Sequence, residues 1–185
     1  METFNGSEYE LKEIGIKFKG TETYEKVECV GSCEEEMESR TVTKKCRGIV
    51  KKTKTKGTGK GNLKISAHIP YAIYTEAYGM ELDDLKEGIR AYGQNSVHKE
   101  FAMTQLVEDE DGNAKYKAYP NCVIQSGIVR KIENGAEEVA ELELDVSVMP
   151  DDYGNGMYEA PASESTAITN WMTAFTPEMA QIAKA

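Results

Sequence analysis

The chain has 185 residues, with 32 acidic and 22 basic side chains for a formal net charge of −10, and is 39% hydrophobic and 29% charged. That composition excludes a disordered chain, and the acidic balance argues against a general nucleic-acid binder, which carries excess Lys and Arg. No run approaches the ~20 apolar residues of a membrane helix and the opening METFNGSEYELKE lacks the apolar stretch of a secretory signal, so a chain that inserts in no membrane and is not secreted is expected.

In chain order, residues 13–19 (EIGIKFK) put Ile14, Ile16 and Phe18 on one face, which predicts a strand. Residues 41–56, rich in Thr, Val and Lys, read as long exposed β structure or an arm, broken at the glycines of 57–61. Residues 62–69 alternate again, and Pro70 closes that strand. Residues 71–78 predict a short helix after Pro70. In 81–91 (ELDDLKEGIRA), Leu82, Leu85 and Ile89 at helical spacing predict an amphipathic helix that Gly88 weakens. A hairpin is predicted from 100–108 and 114–119 around the turn 110–113. A second is predicted from 123–132 and 138–149 around Glu133-Asn134-Gly135. Residues 150–156 end the regular core, and a polar stretch leads to a tail that holds the only tryptophan, Trp171.

Cys29, Cys33 and Cys46 form a Cys-x3-Cys-x12-Cys array, with His68 or His98 as a conceivable fourth ligand. The second close pair that a zinc site uses is missing, so reduced cysteines and no metal are expected. Residues 57–61 do not make a phosphate loop, since Gly61 stands where a Ser or Thr would ligate magnesium. With two histidines and no local catalytic signature, neither an enzyme nor a cofactor is expected.

The charges are segregated. Residues 34–38 read EEEME, while 44–60 hold Lys44, Lys45, Arg47, Lys51, Lys52, Lys54, Lys56 and Lys60 without an acid. On the strand of 138–149, Glu141, Glu143 and Asp145 alternate with Leu142, Leu144 and Val146, making an acidic ladder on one face. The ladder reads either as a solvated outer face or as a wall that repels a polyanion.

The stretches NLKISAHIPYAIYTEAYGMELDDLKEGIRAYGQNS, EDEDGNAKYKAYPNC and VIQSGIVRKIENGAEEVAELELDVSVMPDDYGNG resemble the major tail (tail tube) proteins of long, non-contractile-tailed bacteriophages over roughly residues 1–160. The resemblance implies a mainly β fold, a β-sandwich or split β-barrel with a flanking α-helix. Six copies would join their sheets into an inner β-barrel, and rings would stack into a hollow tube. It implies a virion protein assembled in the host cytoplasm, with itself, a tape-measure protein, and tail terminator and distal tail proteins as partners, and double-stranded DNA in transit. By position, 81–91 would be the flanking helix and about 41–61 the long loop between rings; 161–185 would be an extension used as an interface arm.

On that resemblance, Glu141, Glu143 and Asp145 are candidate lumen-lining acids, because a same-sign wall lets DNA slide. Lys51, Lys52, Lys54 and Lys56 are candidate inter-ring contacts with Glu34, Glu35 and Glu36, and Trp171 and Phe175 are candidate C-terminal interface anchors. The alternative from another class is a small nucleic-acid-binding module that uses the basic 44–60 segment with Tyr71, Tyr74 and Tyr78 nearby.

Overall fold

The computed structural model describes residues 4, 6–164 and 168–182. The protein is mainly β, with one antiparallel sheet of eight strands and a short flanking helix. The strands are β1 (Glu10–Phe18), β2 (Glu25–Val27), β3 (Val30–Cys46), β4 (Ile49–Ala67), β5 (Phe101–Glu108), β6 (Ala114–Ile124), β7 (Leu142–Met149) and β8 (Tyr158–Pro161). Their order is β2-β1-β5-β6-β7-β4-β3, with β8 pairing the first half of β6 beside β7.

Alternation decides which side chains enter the core. Ile14, Ile16 and Phe18 of β1 share one face with Phe101 and Met103 of β5, Leu144, Val146 and Val148 of β7, and Leu63, Ile65 and Ala67 of β4. The helix α1 (Tyr71–Ala77) closes that face with Ile73, Tyr74 and Ala77. β6 changes parity midway. Pro120 and Asn121 sit opposite the single Ala102, so Lys115, Lys117 and Tyr119 before this bulge, and Cys122 and Ile124 after it, all face inward. A bulge is where a strand tolerates proline, which has no N–H for the ladder.

The opposite face is covered only in part. A short helix α2 (Trp171–Ala174) and a 3₁₀ turn (Pro177–Ala180) lie over β1, β5 and β6. There Ile168, Trp171 and Phe175 form a second apolar cluster with Ala118, Tyr116 and Tyr158. Among the described residues, no helix lies over the outward face of β7, β4 and β3.

Two expectations are corrected. Residues 81–91 are not helical: Gly79 and Gly88 take φ of +60° and +80°, and the chain turns at Leu82–Leu85 and Lys86–Ile89 before Ala91 N–H returns to the Met80 carbonyl. The expected flank is instead the shorter α1. Nor do residues 123–132 and 138–149 form a complete hairpin. The ladder between them stops at the Ile124–Val146 pair; beyond it Arg130 turns to the Tyr74 hydroxyl and ring, and Ile132 and Val139 are exposed.

Candidate functional site

The feature that stands out is the outer half of the β3–β4 hairpin. β4 pairs β7 only from Gly61 to Ala67, so residues 39–57 form a two-stranded ribbon with no further strand beside it among the described residues. Every side chain along it is exposed. The ribbon closes at Arg47-Gly48, both with positive φ (52° and 78°), the primed turn whose twist matches a two-residue hairpin.

The register sorts its side chains onto two faces. Arg40 lies opposite Lys56, Val42 opposite Lys54, and Lys44 opposite Lys52; the other face carries Thr41 opposite Thr55 and Thr43 opposite Thr53. The hydroxyls of Thr41 and Thr55 are 2.9 Å apart and hydrogen-bonded. Like charges directly opposite destabilise a strand pair, so the cationic face is an energetic burden on the free ribbon that an anionic partner would relieve. Of the expected contacts, Lys52, Lys54 and Lys56 lie on this face, and Lys51 is the extra residue of a bulge beside it.

At the root, three residues of β4 (58–60) oppose the single Glu38 of β3. Gly59 there, at φ +76°, lets the 150–156 loop approach closely: a Cβ on it would fall 2.7 Å from the Gly154 carbonyl oxygen. That loop is shaped by Asp151, whose Oδ1 accepts from the amides of Tyr153 and Asn155. Asp109 does the same for Asp111 and Asn113 in the β5–β6 turn. Both loops read Asp-x-x-Gly-Asn, with the glycine at positive φ.

Below the root, the open face of β7, β4 and β3 is acidic. Glu143 and Asp145 of the expected ladder lie there beside Glu34 and Glu36, with Lys64 between Asp145 and Glu34 in the register. Asp145 accepts from Asn62 Nδ2 at 3.1 Å, and Glu141 accepts from the Ser66 hydroxyl at 2.5 Å. Of the three ladder acids, Glu143 is exposed, while Glu141 and Asp145 are half-buried.

Glu35 behaves differently from its neighbours. Odd positions of β3 face inward, and its carboxylate accepts from the Tyr119 hydroxyl and pairs with Lys117. The sheet therefore curls until β3 meets β5 and β6; Gln105 Nε2 also donates to Cys33 Sγ at 3.3 Å. Lys117, 4% exposed, has a second partner in Glu8 at 3.1 Å, and Lys115 is held between Glu8 at 2.7 Å and Glu159 at 3.1 Å. Burial alone would push the Lys117 ammonium down, yet Glu35 and Glu8 raise it above the ordinary lysine value. Burial, with Glu35 close by, pushes the Tyr119 hydroxyl well up. Glu35 is thus engaged within its own chain. Two lysines on an alternating strand are the one trace of this network in the sequence.

Trp171 and Phe175 are likewise turned onto their own sheet, packing edge to face with centroids 5.0 Å apart. They anchor the tail in place because the outer face of β6 offers Ala118 and Tyr116 rather than charges. Cys33 and Cys46 stand thirteen positions apart on one extended strand, about 40 Å, which rules out a shared metal ion within one chain. His98 holds the Ile124 carbonyl at 2.6 Å and the Tyr92 hydroxyl at 3.0 Å. Among the described residues, no helix is long and apolar enough to cross a membrane.

No family model matches the chain, and no curated protein matches it. Among solved structures, it is similar to a chain in the cryo-EM structure of the anti-feeding prophage cap (AFP tube terminating cap). The two are 10% identical with a TM-score of 0.49, over 85% of this chain and 95% of that one. It is also similar to a chain in the 6-fold symmetrised structure of the anti-feeding prophage baseplate, at 8% identity and a TM-score of 0.42, over 86% and 97% of the two chains.

Proposed function

We propose that this protein is a structural subunit of a phage-type tail, a tail tube protein that assembles into rings and stacked tubes. The observation that carries the reading is the ribbon of residues 39–57. It projects from an acidic chain with eight cations, Arg40, Lys44, Lys45, Arg47, Lys51, Lys52, Lys54 and Lys56, and no acid. An isolated two-stranded ribbon is marginally stable in water, so an arm of this length is built to lie on something. The open edges of β2 and β3 at the two ends of the sheet supply the other requirement, since joining edges between copies removes unpaired backbone groups.

In this reading, Lys51, Lys52, Lys54 and Lys56 reach the next ring and meet Glu34 and Glu36 on its open face. Each exposed pair is worth only ~0–1 kcal/mol, but a ring repeats it and thereby sets register. Glu143 and Asp145, with Glu141 at the ladder's end, face the bore and keep passing DNA from adhering. Tape-measure, terminator and distal tail proteins would be its partners in the virion. Negative-stain electron microscopy across a concentration series tests the reading. Hollow tubes or rings of uniform width support it, and particles that never exceed a few copies, even when a tail-tip complex is supplied, sink it.

A second reading takes the same ribbon as a nucleic-acid reader, because a two-stranded β-ribbon with one cationic face fits the major groove. Salt-sensitive binding of the isolated chain to duplex DNA, lost when Lys52, Lys54 and Lys56 become Glu, would favour it over the tube.

A further inference from the structure

β3 is paired by β4 alone, so among the described residues no strand is hydrogen-bonded to its other edge from Val30 to Cys46, although β1 lies near its body half. An open edge of this length is a template for another strand. Its charges change sign at one point. On the face of the even positions, Glu34, Glu36 and Glu38 run up to Ser39, and Arg40 and Lys44 follow it with Val42 between. The alternation is continuous across the root, because the extra residues of the bulges between Met37 and Cys46 belong to β4.

This order makes the strand complementary to itself in one register. With β3 of one copy antiparallel to β3 of another and Ser39 opposite Ser39, Glu38 falls opposite Arg40 and Glu34 opposite Lys44, in both halves. Sliding by one position on each strand puts Glu38 on Glu38 or Arg40 on Arg40 at the centre. Parallel in-register pairing stacks every charge on its own kind. Opposite charges across a strand pair stabilise it and like charges oppose it, so one arrangement is selected from these.

We propose that two copies pair along β3 in this register, with a two-fold axis through Ser39, forming a four-stranded β4–β3–β3–β4 ribbon. Each arm then lies along the body half of its partner's β3 and gains the additional strands that a two-stranded ribbon lacks. The contact is isologous and closes at two copies. It stands apart from the tube reading, since it holds both arms and so describes the chain outside the tube.

Sedimentation velocity of the full chain, with charge exchange and cross-linking, tests it. The expected result is a dimer that weakens as salt rises. Arg40→Glu should weaken it by about tenfold or more, since the axis counts each substitution twice, and Glu38→Arg with Arg40→Glu should restore it. In a Cys29→Ser, Cys46→Ser background, Ser39→Cys should oxidise to a covalent dimer, and Thr55→Cys on the other strand should not. A monomer at all concentrations, a dimer indifferent to Arg40→Glu, no rescue by the double exchange, or equal cross-linking from Thr55→Cys would each overturn the pairing. Tubes lacking a Ser39 cross-link in the free chain overturn this dimer alone, and a cross-linked dimer that never forms tubes overturns the tube reading alone.

Discussion

Gly59 and Gly156 meet backbone to backbone at the root of the arm: a Cβ on Gly156 would fall 2.0 Å from the Gly59 carbonyl oxygen. No side chain fits there, so the loop and the bulge hold one another only while both lack one. Gly156→Ala should therefore lower stability by about 1–3 kcal/mol, as overpacking does, and speed amide exchange at 57–61. Gly154→Ala, facing open space at φ +84°, should cost only the local backbone strain of about 1 kcal/mol. Equal urea midpoints for the two variants would refute the account.

Removing one partner of a buried ion pair is costlier than removing both. Glu35→Gln should destabilise by about 3 kcal/mol, because Lys117 then relies on Glu8 alone. Glu35→Gln combined with Lys117→Met should recover most of that loss. The measurement is urea unfolding of the four proteins as a double-mutant cycle, and additive effects would disprove the coupling.

Burial acts to raise the Glu8 carboxyl, but Lys115 and Lys117 win and hold it below the ordinary carboxylate value. A folded value below the unfolded one stabilises above the unfolded pKa, and that contribution fades as pH falls through the lowered value. The N-terminal segment should accordingly stay docked at neutral pH and release in acid. Protection of the Tyr9 amide, bonded to the Glu108 carbonyl at 2.9 Å, reports it when corrected for intrinsic exchange. Glu8→Gln should remove the acid transition, and an unchanged transition in that variant would discount Glu8.

Trp171 is the only tryptophan and is buried on its own sheet, so its emission should be blue-shifted in the free chain, before any assembly. Trp171→Ala should cost about 3–5 kcal/mol by leaving a cavity against Ala118 and Phe175. Red-shifted emission that turns blue only on assembly would return the residue to an intersubunit role.

Lys52, Lys54 and Lys56 are exposed, and among the described residues none of them makes an ion pair within 4 Å. Reversing all three to Glu should leave the thermal midpoint within about 2 °C, as surface changes do, while abolishing tube growth. Wild-type tube yield from this variant would remove the arm from the assembly scheme.

Much of this was legible in the sequence where one period governs one stretch. The strict alternation of Ile14, Ile16 and Phe18, and the Thr/Lys run of the arm, gave strands because nothing competes with the pattern. Residues 81–91 misled because Leu82, Leu85 and Ile89 keep helical spacing while Gly88 takes a φ that a helix cannot. Residues 125–141 misled in the other direction: Asn134-Gly135 does turn, but Arg130 has a better partner in Tyr74 than a ladder would offer it. At the candidate site the cationic run was plain. The inward turn of Glu35 was not, since it depends on parity across a strand that reads as uniformly acidic, and on a lysine some eighty positions away.

The arm is also a lever. From root to tip it measures about 26 Å, eight residues of strand, so a tilt of about 10° at the root moves the Arg47-Gly48 tip by about 5 Å, the spacing between neighbouring strands. A small rotation where the two glycines touch would carry the tip from one strand of a receiving surface to the next. The accuracy with which this protein places its farthest residues is therefore set at Gly59 and Gly156.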